Sequence, residues 1–204
     1  GFFLSDYKRL LERVDLFLPN SSTEGEIIKR RISPSIRYKV VYNAVDGNQF
    51  SLLNTGNRPK QGLIVARMDP RKNILSLVEA INSIHYGLDV FGSSTPQHTK
   101  YVDRIRREAG EKITINEHFP HQRLSELYNK YELHILPSWL ETPGLSQLEA
   151  AACGCNILST DRGSAMDYFG DMAFYCSPAS VDSIRQGIVN ATNNPKEPRL
   201  MSEF

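Results

Sequence analysis

ELHILPSWLETPGLSQLEAAACGC, residues 132–155, joins an apolar run to an amphipathic segment through a turn carrying proline and glycine. LHILP reads as a strand that ends at Pro137. Thr142 then offers a hydroxyl N-cap and Pro143 a pre-set first helical residue, so a helix is expected over 144–153, stopped by Gly154 in a left-handed cap. The unpaired amides of Gly144, Leu145 and Ser146 would open that helix at the carboxyl edge of a parallel strand. Open α/β sheets bind ligands at that edge, and the positive end of a helix dipole favours phosphate there. Glu141 and Glu149 stand eight residues apart across the same turn, so both carboxylates could face one crevice and accept hydrogen bonds from the paired hydroxyls of a ribose or hexose. The structural alternative makes Glu141 a helix-dipole partner and Glu149 a solvated helix residue.

The same alternation extends outward in both directions. Strands are expected at 36–42, 62–66, 87–91, 112–115, 133–137, 156–159 and 173–176, and helices near 72–84, 98–109, 121–130, 144–153, 163–169 and 181–193. Strands apolar on both faces, alternating with amphipathic helices, predict an α/β fold with a mostly parallel sheet covered on each side. Upstream, DLFLP (15–19) reads as a strand, followed by a helix over 23–32 opened by a capping box of Ser21 with Glu24 or Thr23 with Glu26. NAVDGNQFSLLNTGNRPKQ has the composition of a linker, which places a boundary near 44–60. The tail NNPKEPRLMSEF is expected to be frayed or to belong to an element cut short.

Composition excludes several functions. The 204 residues suffice for one well-cored domain, or one domain and part of another. Lys and Arg number 24 against 23 Asp and Glu, a net charge of +1 that makes no case for nucleic acid or an anionic membrane, so any anion must be held locally. Cys153, Cys155 and Cys176 lack paired CxxC spacing and read as reduced thiols of a cytosolic protein, not as a disulfide framework or zinc site. No apolar run approaches the roughly 18 residues of a spanning helix, and the first residues do not read as a signal peptide. GxGxxG, GKS/GKT and GxSxG are absent, which disfavours dinucleotide, P-loop and hydrolase readings.

A second candidate cluster lies in GLIVARMDPRKNILSLVEAI, residues 62–81. Arg67 follows a strand, Asp69-Pro70 makes the turn and Lys72 stands near the next helix, so a planar fork and a point charge could clamp a diphosphate. Ordinary loop charges are the alternative, with Arg71 a competitor for either role. His118 and His121 flank Phe119-Pro120 near the same edge, and GSST (92–95) suits a turn near a phosphate or sugar. His134, inside LHILP, is expected to pack or hydrogen-bond in place. No His/Asp/Glu spacing resembles a metal site.

Four segments, in order, resemble the donor half of the retaining GT-B glycosyltransferases called group 1 or family 4. They are NAVD (43–46), ARMDPRKN (66–73), LPSWLETPGLSQLEAAACG (136–154) and GSAMDYFGDMAFYCSP (163–178). The resemblance covers about residues 15–193 and implies a Rossmann-like parallel sheet, the C-terminal half of a GT-B fold, that binds a nucleotide sugar. It implies Arg67 and Lys72 on the donor diphosphate with the amides of Gly144 and Leu145, and Glu149 on the ribose. It also implies Glu141 beside the donor sugar as the catalytic candidate, and His118 and Phe119 in the base-binding loop. No cofactor and no metal are expected, because the cations take the ion's place. Hexose would pass from a nucleoside-diphosphate sugar to a sugar or lipid-linked acceptor. The implied layout is a remnant of the acceptor domain over 1–44 (strand, helix, strand), a linker over 45–60, the nucleotide-sugar domain over 61–193 and a tail over 194–204. The missing N-terminal acceptor domain would leave this chain inactive alone, and the full-length enzyme is expected in the cytoplasm, with room for peripheral association at the membrane's cytoplasmic face. Ala66, Thr142-Pro143-Gly144 and Asp167 depart from the commoner Gly, Gly-Phe-Gly and Glu, and Pro143 has no amide to donate. A non-catalytic nucleotide-sugar-binding or assembly module and an unrelated flavodoxin-like regulator are the competing readings.

Overall fold

Val-, Ile- and Leu-rich runs of three to five residues need neighbouring strands to pair with and cover on both faces, and here they find both. The computed structural model describes residues 2–53, 56 and 58–203. Six strands, β1 (Gln61–Val65), β2 (Gly87–Phe91), β3 (Ile113–Asn116), β4 (Leu133–Leu136), β5 (Asn156–Thr160) and β6 (Phe174–Cys176), form an all-parallel sheet in the order β3-β2-β1-β4-β5-β6. The helices are α1 (Phe2–Leu11), α2 (Ser22–Arg31), α3 (Ile74–Asn82), α4 (Thr99–Glu108), α5 (Leu124–Tyr128), α6 (Leu145–Ala152), α7 (Ala165–Phe169), α8 (Val181–Asn193) and α9 (Pro198–Glu203).

Alternate residues of β1, β2 and β5 face opposite cores. Ile64, Leu88, Val90, Ile135 and Leu158 pack with α3, α4 and α8. Leu63 and Ile157 pack with α5, α6, α7 and α9. Each fully buried Leu or Ile contributes about 1.5–3 kcal/mol. α6 ends in a Schellman motif: the amide of Gly154 (φ 83°) donates to Ala151 and that of Cys155 to Ala150.

Several expected elements differ. The segment 36–42 is no strand, and neither is 15–19. They meet in one parallel bridge, Phe17 with Tyr38, flanked by hydrogen bonds from Lys39 N–H to Phe17 O and Val41 N–H to Pro19 O. Val41 and Tyr42 are exposed, so their β-propensity finds no sheet to join. α2 uses the Ser21–Glu24 pair: Ser21 Oγ accepts from Glu24 N–H at 3.0 Å, and Glu24 reaches back to Asn20 N–H at 2.9 Å. α6 starts at Leu145 with a left-handed Gly144 (φ 64°) at its N-cap, so Thr142 does not cap it. α1 lies outside the expected helices. The 45–60 stretch contains no regular element among its described residues, yet it is docked: Phe50 is buried, and Asn129 accepts from Leu53 N–H and donates to Ser51 O. Asn54, Thr55 and Asn57 of that stretch lie outside the described residues. The tail folds as α9, anchored by buried Met201.

No helix among the described residues is long and apolar enough to cross a membrane.

Candidate functional site

The chain enters the sheet at β1, runs outward to β3, then crosses back to β4 on β1's other side. The loops after β1 and β4 therefore leave the sheet in opposite directions and open a crevice at its carboxyl edge. Trp139 N–H donates to Arg71 O at 2.9 Å, tying the two loops together. Asn73, the only described non-glycine residue with positive φ (55°), is buried, and its Nδ2 donates to Pro137 O at 3.1 Å and Pro178 O at 2.9 Å. One side chain thus clasps three loops. Nothing local in ARMDPRKN marks Asn73, because its role depends on the distant Pro137 and Pro178 carbonyls.

Asp69 caps the short 3₁₀ turn Pro70–Lys72 through Arg71 N–H at 2.9 Å. Its carboxylate also faces the guanidinium groups of Arg71 at 3.3 Å and Arg67 at 3.7 Å. Burial alone would raise its pKa, but the hydrogen bonds from Arg71 and the charges of both arginines hold it below the ordinary carboxylate range. Two guanidiniums share one carboxylate and stay largely exposed, which leaves positive charge at the crevice edge.

Lys72 is not an exposed loop charge. Its Nζ donates to Glu141 Oε1 at 2.6 Å, with side-chain exposures of 21% and 7%. The backbone of Glu141 is held by the loop after β5: its carbonyl accepts from Ser164 N–H at 2.8 Å, and its N–H donates to Arg162 O at 3.3 Å, forming a bridge with Gly163. The first turn of α6 leaves the amides of Leu145 and Ser146 without intrahelical acceptors.

Glu141 and Glu149 do not touch common partners. Glu149, 14% exposed, turns toward α5: Oε2 accepts from Tyr128 Oη–H at 2.9 Å, and Oε1 lies 3.5 Å from His121 Nε2. Glu141 is buried in an ion pair just ahead of α6, and Glu149 is no solvated helix charge. Burial, reinforced by the charge of Glu149, pushes the Tyr128 phenol far above its ordinary pKa and keeps it a donor. His118 lines a cavity of about 230 Å³ with Gly92, Ser93 and Ser94, the turn singled out in the sequence. Phe119 packs edge-on to Phe91 at 5.5 Å, with the Arg123 guanidinium 5.6 Å from its ring.

The remaining polar candidates are structural. Cys153, Cys155 and Cys176 are free and buried, and burial pushes the thiols of Cys155 and Cys176 up to about 12. His134 is fully buried, accepts from Val65 N–H at 3.3 Å, and has its pKa pushed down to about 3 by burial and the charge of Lys72. Its folded pKa lies below the unfolded value of about 6.5, so unfolding takes up a proton at intermediate pH. The stability held by neutral His134 is complete above pH 6.5 and falls by about 1.4 kcal/mol per pH unit as pH drops from 6.5 toward 3. His134→Gln, which keeps an acceptor, is expected to remove that slope from urea-unfolding free energies measured between pH 6 and 4. An unchanged slope would place the acid sensitivity elsewhere.

Residues 48–204 match the family described as glycosyl transferases group 1. The chain is 24% identical over 196 residues to the UDP-N-acetylglucosamine–peptide N-acetylglucosaminyltransferase GtfA subunit of Streptococcus pneumoniae, covering 88% of this chain and 37% of that protein. Sucrose-phosphate synthase from Thermosynechococcus elongatus superposes with a TM-score of 0.83 at 22% identity, over 98% of this chain and 56% of that one. HepE of Anabaena, in complex with UDP-glucose, superposes with a TM-score of 0.79 at 17% identity, over 98% and 60%. The chain thus spans less than two thirds of these proteins' lengths. At these identities the structural likeness establishes the fold, and with the match over most of the chain it leads to one conclusion: this chain belongs to the group 1 glycosyl transferases and has the architecture of the C-terminal half of a GT-B enzyme.

Proposed function

We propose that this chain binds a nucleoside-diphosphate sugar and is the donor domain of a retaining, metal-independent glycosyltransferase that moves a hexose to a sugar or lipid-linked acceptor. The observation that carries this reading is the meeting of Lys72 and Glu141 at 2.6 Å in the crossover crevice, with Arg67 exposed on the same loop as Lys72 and facing Asp69. Breaking the bond from the anomeric carbon to the diphosphate builds negative charge on the leaving nucleoside diphosphate, and donors fixed in advance stabilise it most. Arg67 offers a planar fork. Lys72, anchored by one N–H to Glu141, keeps its other N–H groups for the ligand, and the amides of Leu145 and Ser146 add neutral donors. These cations supply the positive charge that a divalent ion would otherwise bring. Glu141 is placed beside the sugar, while Glu149, with His118 and Phe119 nearby in sequence to its partner His121, takes the nucleoside end. The names of GtfA, a UDP-N-acetylglucosamine-dependent transferase, and of the HepE complex with UDP-glucose support a nucleotide-sugar donor.

We place residues 61–193 in the nucleotide-sugar domain, 45–60 in the segment joining it to an acceptor domain, and 1–44 with that neighbour. The free cysteines suit a reducing compartment, and we place the protein in the cytoplasm. Transfer requires an acceptor hydroxyl held within about 3–3.5 Å of the anomeric carbon, so donor binding without transfer is expected of this chain by itself.

Calorimetry with UDP, GDP and ADP sugars tests the reading. One ligand is expected to bind at a 1:1 ratio, equally in EDTA, and Arg67→Ala is expected to weaken it by about 1.5–3 kcal/mol, the range for hydrogen bonds to charged groups. A radiolabelled donor incubated with sugar and lipid acceptors should give no more than slow hydrolysis. Failure of every nucleotide sugar to bind overturns the proposal, and binding that requires magnesium overturns its metal-free clamp.

A further inference from the structure

Glu149 is held from a second side by a chain that begins outside the sheet and its helices. Gln49 Nε2 lies 3.2 Å from His121 Nδ1 and donates to the backbone carbonyl of His121, also at 3.2 Å. That carbonyl settles the orientation of the Gln49 amide, because only its nitrogen can face an acceptor. The same nitrogen therefore donates to Nδ1, which assigns the imidazole proton to Nε2, the atom 3.5 Å from Glu149 Oε1. Phe50 packs against the imidazole at 5.7 Å and 81° and fixes its plane. Opposite it, Tyr128 donates to Glu149 Oε2.

Tyr128 alone would fix one oxygen and leave the carboxylate free to rotate. With His121 Nε2 3.5 Å from the other oxygen, each carboxylate oxygen faces a polar group before any ligand arrives. A carboxylate has about four lone-pair sites, so each oxygen of Glu149 retains acceptor capacity for one of two adjacent hydroxyls. Resting on the nucleotide-sugar reading, we infer that His121, oriented by Gln49, is a positioning residue that sets the plane of Glu149 and thereby the site's preference for a ribose diol over a 2′-deoxyribose.

A purely structural histidine would alter all ligands alike, whereas a positioning role acts on one hydroxyl. The experiment titrates the 204-residue chain with UDP, GDP and ADP, with their 2′-deoxy counterparts, and with inorganic pyrophosphate. The parent is expected to bind its best ribonucleotide roughly 10- to 100-fold more tightly than the deoxy form, as loss of one hydrogen bond to a charged group requires. His121→Phe keeps the ring against Phe50 but has no N–H, and its ratio is expected to fall to about threefold or less with pyrophosphate binding unchanged. Gln49→Ala should shift the ratio the same way by less, and His121→Gln, which can donate from an amide, should recover part of it. A parent-like ratio in His121→Phe overturns the inference, and so does an equal weakening of every ligand, pyrophosphate included. Should His121→Phe fail to fold, the ratio in Gln49→Ala decides, and an unaltered value there also overturns it. Absence of any nucleotide binding by the parent instead overturns the functional reading beneath it.

Discussion

Lys72→Ala is expected to destabilise the fold as well as weaken phosphate binding. Composition and position suggest a loop cation whose loss leaves folding intact, but Lys72 and Glu141 form an ion pair with little exposure on either side. Removing the lysine leaves the Glu141 carboxylate buried without its counter-charge. The cost is about 3 kcal/mol, at the lower end for breaking a buried pair because part of the lysine reaches solvent. A neutral partner should relieve it: Lys72→Ala combined with Glu141→Gln is expected to recover most of the loss, since removing both charges of a buried pair is often nearly neutral. Urea midpoints of the parent, both single variants and the double variant complete the cycle. A parental midpoint for Lys72→Ala would show that water already screens the pair and that the lysine serves the ligand alone.

The second large effect is expected at Gly163, far from the phosphate loops in sequence. Its φ of 93° is hostile to residues with a Cβ, and a Cβ there would lie 2.0 Å from the Glu141 carbonyl oxygen. The two cannot coexist, so Gly163→Ala must open the bridge that holds Glu141. Backbone strain and overpacking each cost about 1–3 kcal/mol, for about 4 kcal/mol together. Nucleotide-sugar binding should weaken with it as Glu141 and Lys72 shift. Gly170 supplies the control: its φ of 45° carries strain, but nothing lies within 4 Å of an added Cβ. Gly170→Ala should therefore lose the strain contribution alone, about 2 kcal/mol. Equal midpoints for the two variants would mean that the loop after β5 yields freely and does not position the site.

Legibility followed the range of the forces involved. GLDVF and the segment 181–193 are strand and helix where periodicity places them, because their neighbours supply the cover that their patterns require. IRYKVVY carries as strong a β-pattern and forms a single bridge, since propensity alone cannot create a partner edge. Thr142-Pro143 has good local chemistry for a helix start, yet the chain uses those residues to turn past the bridged Glu141 and enters α6 through a left-handed glycine.

Within the site, residue types were readable and pairings were not. Arg67, Lys72, Glu141 and Glu149 could be picked out in the sequence by their places beside strand ends and helix starts and by the motifs they share with the family. That Lys72 belongs to Glu141, 69 residues away, that Glu149 belongs to Tyr128 and His121, and that Asn73 clasps three loops depend on which strands lie side by side. By itself the sequence determined the alternating α/β architecture, the near-neutral charge that requires anions to be met locally, and the family resemblance, since these rest on short-range periodicity and composition. The tertiary structure decided which cation is exposed and which is buried in a pair, and which glutamate faces which partner. The physical reason is that β1 and β4 are neighbours only after two strands have been laid down on the far side of β1, and burial, which sets the strength of every charge in the crevice, exists only once they meet.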